Sequence, residues 1–308
     1  MKIALVTPAG SGSRAGNRHT ALRWAHFLRK VGHDVTVSLQ WAPDDTTDLM
    51  LALHARRSHA SILAFSRLHP TRPLVVALTG TDIYRDIHDS AEAQESLELA
   101  SRFIVLQPAA LAELTPTKRR LARVVIQSCA TRLRHKPVKR GFRISVIGHL
   151  RGEKDPLRAY LALRHVPPEV DIEVLQIGAS LDSELERAST GRYRRVGSVT
   201  HARALAYLAS SHAMVISSRM EGGANVVSEA IRIGVPVLAS RISGNLGLLG
   251  RGSSGYFPLE DEQALARLML RAATDRGFYR SLKQRVSALR PLVAPANEAR
   301  MLLAALRR

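Results

Sequence analysis

The residues best placed to do chemistry together lie in one run, Ser217-Ser218-Arg219-Met220-Glu221-Gly222-Gly223-Ala224-Asn225-Val226-Val227-Ser228-Glu229-Ala230. Before it, Met214-Val215-Ile216 is an apolar stretch suited to a buried parallel strand. After it, Asn225 suits the N-cap of a helix reaching about Ile233, with Gly234 at its C-cap and Pro236 just beyond. A strand, a loop bearing Gly222 and Gly223, and a helix N-terminus direct unpaired N–H groups and the positive end of a helix dipole at one point. The run therefore predicts an anion site, with phosphate as its natural occupant. Glu221 lies in the loop and Glu229 about one turn into the helix, where Cα–Cβ tilts back toward the N-terminus. Carboxylates repel phosphate but accept hydrogen bonds from hydroxyls, so the expected ligand carries both phosphates and sugars. The plainer alternative is that Glu229 complements the helix dipole and Glu221 is a solvated loop charge.

These residues need a scaffold of alternating strands and helices, and the chain supplies two series of them. Ile3–Val6 reads as a first strand, followed by the glycine-rich loop Thr7–Thr20. A helix then carries Ala21, Trp24, Ala25, Leu28 and Val31, stops at Gly32, and leads to a strand over Val35–Leu39. Gly10, Gly12 and Ala15 spell the dinucleotide pattern G-x-G-x-x-A, which raises an NAD-dependent enzyme as an alternative. The second strand, however, ends Ser38-Leu39-Gln40, without the acid that would hold an adenosine ribose. Arg14, Arg18 and His19 add cationic donors to this loop, or face solvent.

Further strands are expected at Leu49–Leu53, Leu74–Leu78, Phe103–Leu106 and Val124–Ile126. The second of these runs into Thr79-Gly80-Thr81-Asp82-Ile83-Tyr84-Arg85, where Asp82 either orients a sugar hydroxyl or caps a short helix. Arg132–Gly141 is basic and proline-bearing and reads as a linker. Strands follow at Phe142–Ile147, Ile172–Ile177, Arg195–Gly197, Met214–Ile216 and Val235–Ala239. The expectation is an α/β chain of two Rossmann-like doubly wound domains, residues 1–135 and 141–285, with helical periodicity continuing through 286–308.

The 308 residues suffice for two such cores. A single cysteine, Cys129, forms no internal disulfide, and the apolar run after Met1-Lys2 is too short for a signal-peptide core, which reads as cytoplasmic. No apolar stretch approaches the roughly 20 residues of a membrane span. The net charge of +19 is spread over helices and loops, without basic tails, zinc-finger spacing or interleaved aromatics. That pattern argues against nucleic acid, leaves room for peripheral contact with an anionic membrane, and fixes no oligomeric state.

Ser218, Glu221, Gly222, Glu229, Gly234, Pro236 and Val237 resemble the C-terminal signature of retaining GT-B glycosyltransferases of family 4: Ser-x-x-Glu-Gly, a second Glu eight positions on, then Gly-x-Pro-Val. The resemblance implies two domains facing across a cleft and a C-terminal helix, within 286–308, that crosses back to the first. It also implies that the glycine-rich loop, Gly12 included, approaches the donor diphosphate. Relatives read Gly-Arg-Leu and then Lys after the first strand of the second domain, and those cations neutralise the leaving diphosphate. Here Gly148-His149-Leu150-Arg151-Gly152-Glu153-Lys154 keeps Lys154, puts His149 at the arginine position and offers Arg151 two residues on. Cations at that place stabilise the charge that develops as the glycosidic C–O bond breaks.

Relatives also have histidine where Thr79 precedes Gly80. No Asp-x-Asp metal signature is evident; Asp44-Asp45 reads as a solvated turn, and His54, His59 and His69 read as surface or helix residues. The expectation is metal independence, with no cofactor beyond a UDP-sugar co-substrate.

Chain length, the loop Gly10–Thr20, Leu78-Thr79-Gly80-Thr81-Asp82 and Glu221-Gly222-Gly223-Ala224-Asn225 together resemble the selenosugar synthases of selenoneine biosynthesis. What that resemblance implies is transfer of N-acetylglucosamine from UDP-N-acetylglucosamine to selenophosphate. In that scheme Glu229 holds ribose, Glu221 a sugar hydroxyl, and Gly222, Gly223, Ala224 and Asn225 with His149, Arg151 and Lys154 the diphosphate. Arg14, Arg18, His19, Asp82 and Arg85 are its acceptor candidates, since arginine suits phosphate-like oxyanions. A selenium anion needs no general base at neutral pH, which makes Thr79 tolerable. The alternatives are a family 4 transferase acting on a glycan or lipid, and a nucleotide-sugar-binding protein without turnover.

Overall fold

Runs such as Leu49-Met50-Leu51-Ala52-Leu53 and Leu74-Val75-Val76-Ala77-Leu78 are apolar at every position and buried at every position. Only a sheet covered on both faces accommodates such strands, and parallel sheets with crossover helices are of that kind. The computed structural model, which describes residues 1–10, 16–44, 46–179 and 191–307, contains two six-stranded all-parallel sheets, each in its own compact unit.

Unit 1 comprises Met1–Gln127, Glu221–Ala224 and Pro295–Arg308. Its strands are β1 (Lys2–Val6), β2 (Asp34–Ser38), β3 (Leu49–Leu53), β4 (Leu74–Leu78), β5 (Arg102–Val105) and β6 (Ala122–Val124), in the order β2-β1-β3-β4-β5-β6. The period-2 alternation divides each strand between two cores. Ala4, Val6, Met50, Ala52, Val76 and Leu78 face one cluster. Ile3, Leu5, Leu49, Leu51, Val75 and Ala77 face the other, together with Trp24 and Leu28 of helix Gly16–Lys30 and Leu302 and Ala305 of helix Pro295–Leu306.

Unit 2 comprises Ser128–Met220 and Asn225–Ala294. Its strands are β7 (Phe142–Ile147), β8 (Ile172–Ile177), β9 (Tyr193–Gly197), β10 (Ala213–Ile216), β11 (Val237–Ser240) and β12 (Tyr256–Phe257), in the order β12-β11-β10-β7-β8-β9. One core packs Ile144, Val174 and Val215 against Leu265 and Met269 of helix Glu262–Thr274 and Phe278 and Leu282 of helix Arg276–Leu289. The basic segment expected as a linker is bonded into this unit: Lys136 N donates to Ala209 O at 2.9 Å and Val138 N to Ser210 O at 3.0 Å.

Several strand boundaries differ from the sequence reading by one or two residues, two of them for evident local reasons, and one strand is additional. The strand expected from Val235 begins at Val237, because Gly234 takes φ +97° and Val235 N still bonds back to Ala230 O at 2.9 Å. The sixth strand begins at Ala122, where helix Pro116–Leu121 ends, and pairs Ala122 with Phe103. The two-residue β12 is too short for any periodicity to reveal.

Candidate active site

In an open α/β sheet the ligand crevice lies beyond the carboxyl ends of the strands where chain order reverses. In unit 2 that point falls between β7, whose other neighbour is β8, and β10. The loops leaving these two strands carry most of the residues singled out above.

The β7 loop leaves through Gly148 at φ +155°, beside Gly178 at φ +149° after β8. A Cβ on Gly178 would lie 2.5 Å from Gly148 C and 3.0 Å from His149 N, so the two chains approach as closely as backbone allows. His149 is fixed by this approach: Ala179 N donates to its Nδ1 at 3.3 Å, which selects the neutral tautomer with the proton on Nε2. Where the resemblance leads one to expect a cation, the His149 ring offers an Nε2–H donor.

Arg151 is exposed and Lys154, at the end of the 3₁₀ turn Gly152–Lys154, is half-buried. Asp155 follows in the left-handed region at φ +43°, with Arg158 Nε on its carboxylate at 2.8 Å. The β10 loop is stitched to this turn. Ser217 Oγ donates to Asp155 O at 2.8 Å, Arg219 N to Glu153 O at 2.8 Å and an Arg219 guanidinium N–H to Gly152 O at 3.1 Å. Behind it, Ser240 Oγ donates to Ser218 O at 2.6 Å. The two loops therefore form one bonded ledge that sets the height of Lys154.

Helix Asn225–Ile233 supplies Glu229, mostly buried, with Oε1 2.7 Å from His201 Nε2. His201 opens helix His201–Ser210, whose N-cap Thr200 accepts from Arg203 N. Sequence reasoning missed this partner; its only signal was a histidine in the first turn after a threonine cap. Unit 2 thus brings His149, Arg151, Lys154 and Glu229 to the carboxyl side of its sheet. Glu221, Gly222, Gly223 and Ala224 group by their contacts with unit 1, and Glu221 and Gly222 are buried there.

Gly12 and Arg14 lie outside the described residues. Arg18 is half-buried and His19 exposed near the start of helix Gly16–Lys30. Asp82 is fully buried, and its carboxylate accepts from Thr79 N (2.9 Å), Gly80 N (2.7 Å) and Ala55 N (3.2 Å). It organises the β3 and β4 loops, and these bonds occupy the oxygens that a sugar hydroxyl would need. Arg85 is exposed and bonded through Nε to Asp86 at 3.1 Å.

Two of the three histidines read as surface or helix residues are interior. His69 is buried in ring contact with Trp41 and Phe65. His54 is buried at φ +76°, and burial holds its pKa below that of a free imidazole although Asp82 and Asp86 pull the other way. His59 does sit on a helix, against Ser96 at 3.1 Å. Asp44 behaves as the expected turn: Thr46 and Thr47 donate to its carboxylate, and the Thr46 hydroxyl leads in drawing its pKa down to about 2. Among the described residues no helix is long and apolar enough to cross a membrane.

No curated protein sequence gives a significant match to the chain. Solved structures do match over almost its full length. HepE of Anabaena, solved with UDP and glucose, has 17% identity and a TM-score of 0.78 over 99% of each chain. The sucrose-phosphate synthase of Thermosynechococcus elongatus has 17% identity and a TM-score of 0.75 over 99% of this chain and 100% of its own. At these identities the likeness establishes the architecture, two parallel six-stranded sheets with helices. This chain accordingly has the two-domain Rossmann-like GT-B fold, and its residues 141–275 match the family described as Glycosyl transferases group 1.

Proposed function

We propose that the protein is a glycosyltransferase with a UDP-sugar donor, which it binds on unit 2. The observation that carries this reading is the bonded ledge at the β7/β10 switch point, with Lys154 on one loop and Glu229 on the helix that follows the other. The family match over the same residues and the UDP bound by HepE support it. On unit 2, Glu229 accepts the ribose hydroxyls, and Arg151, Lys154 and the His149 Nε2–H meet the diphosphate.

The acceptor we assign is selenophosphate, on the resemblance of the Gly10–Thr20, Leu78–Asp82 and Glu221–Asn225 stretches. Selenium attacks the anomeric carbon, a C–Se bond forms, and the C–O bond to UDP breaks with its electron pair leaving on the diphosphate. Lys154 and Arg151 neutralise that charge. Water then cleaves the P–Se bond, giving the 1-seleno sugar and phosphate.

The test is UDP release from UDP-N-acetylglucosamine with and without selenophosphate, with mass spectrometry of the product. The expected result is selenophosphate-dependent UDP and a selenium-containing sugar. UDP release that ignores selenophosphate returns the protein to the transferases of glycans or lipids, and donor binding without any release makes it a binding protein.

A further inference from the structure

The β3 and β4 loops of unit 1 hold a polar cluster that the donor site does not use. At its centre, His54 Nδ1 accepts from Arg57 N at 3.3 Å, so the neutral ring carries its proton on Nε2. That Nε2 lies 3.1 Å from Thr81 Oγ1 and 3.7 Å from Asp86 Oδ2. Thr81 Oγ therefore accepts, and among the described residues its own O–H meets no acceptor. His54 is a buried, non-glycine residue at φ +76°, and such strained conformations gather at functional sites.

Along the same imidazole edge, Asp86 is almost fully buried and bonds two arginines, one on each oxygen: Arg56 Nε at 3.0 Å and Arg85 Nε at 3.1 Å. Both side chains stay open to solvent, at 38% and 45% exposure. Each Nε is held, so the four Nη N–H groups of each guanidinium remain for a ligand. The second carboxylate nearby, Asp82, is occupied by backbone N–H groups, and Arg57 adds a further exposed cation.

We propose that Arg56, Arg85 and the Thr81 hydroxyl form a clamp for a tetrahedral oxyanion of the phosphate type, with Asp86 and His54 as its positioning residues. The clamp rests on the transferase reading only in being assigned to that enzyme's acceptor. Paired guanidiniums give bidentate bonds to phosphate-like oxygens, and the hydroxyl adds one directed donor.

The experiment is calorimetric titration of the full-length protein with inorganic phosphate, without donor. Arg56→Ala is expected to weaken binding at least tenfold, Thr81→Val several-fold and Thr81→Ser less than twofold. Asp86→Asn gives the sharpest contrast. A carboxylate that merely repels phosphate would, on removal, tighten binding, whereas loss of the arginine fork weakens it. Arg56→Lys keeps the charge without the fork, so intermediate binding is expected and wild-type binding counts against the clamp. The proposal is overturned if wild-type protein binds no phosphate at millimolar concentration, if Arg56→Ala and Thr81→Val bind like wild type, or if Asp86→Asn binds more tightly. Phosphate binding without UDP release would leave the clamp standing and remove the transferase reading; UDP release with phosphate binding indifferent to these substitutions would do the reverse.

Discussion

Lys154 and Glu229 have different duties in this account, and they separate kinetically. A cation facing the leaving diphosphate acts chiefly as the C–O bond breaks, so Lys154→Ala should lower kcat about 10²–10³-fold while the donor KM changes little. Steady-state kinetics over a donor concentration series checks this, and normal turnover would remove the leaving-group assignment. At this scale the sequence was informative about residue type and poor about partners. Glu229 stood out by its spacing from Glu221, but its 2.7 Å contact with His201 depends on where the helix after β9 lands. Asp82 stood out as a loop acid, yet it is spent on three backbone N–H groups that no pattern reveals. His54 looked like any polar residue after a strand, because φ is not written in a histidine.

At the scale of elements, strands were legible where apolar residues run unbroken, as in β3 and β4, or dominate with a few polar positions between them, as in β7 and β8, and all four span the residues their composition indicates. The C-terminal helix is held by something composition does not show. Glu298, within Pro-Ala-Asn-Glu-Ala-Arg, is fully buried. Its carboxylate accepts from Trp24 Nε1 at 2.7 Å and from Arg23 through Nε at 2.7 Å and a terminal N–H at 3.0 Å. Removing it leaves the buried indole N–H without this acceptor and takes two charge-assisted bonds from the guanidinium, so Glu298→Ala should cost about 3–5 kcal/mol, and Glu298→Gln less because an amide oxygen still accepts from Trp24. Denaturant unfolding of the two variants measures this difference. If Glu298→Ala were as stable as wild type, the cluster would not be what fastens helix Pro295–Leu306 within unit 1.

For the whole molecule, buried histidines dictate the direction in which stability depends on pH. His135 donates from Nε2 to Ser211 O at 2.9 Å, its buried Nδ1 has no partner among the described residues, and burial lowers its pKa from 6.5 to about 4. Burial likewise lowers His54 and His212. The unfolded imidazoles bind protons that the folded ones refuse, so stability is full above pH ~6.5 and falls as pH drops toward 4. For His135, discounted because the ring is partly solvated, the loss is about 2 kcal/mol. His135→Gln keeps a donor for Ser211 O without titrating, and should flatten the fall between pH 7 and 4.5 by about that amount in denaturant unfolding. A fall of unchanged depth would assign the pH dependence to other groups.

The claim on which the rest depends is that unit 2 is a nucleotide-sugar site with Glu229 on the ribose. Calorimetric titration of UDP into wild-type protein and Glu229→Gln tests it most directly, since it needs neither acceptor nor turnover. The account predicts saturable binding weakened about tenfold by the substitution, the effect of a charged acceptor lost from two hydroxyls. UDP that does not bind, or binds both proteins equally, would contradict it.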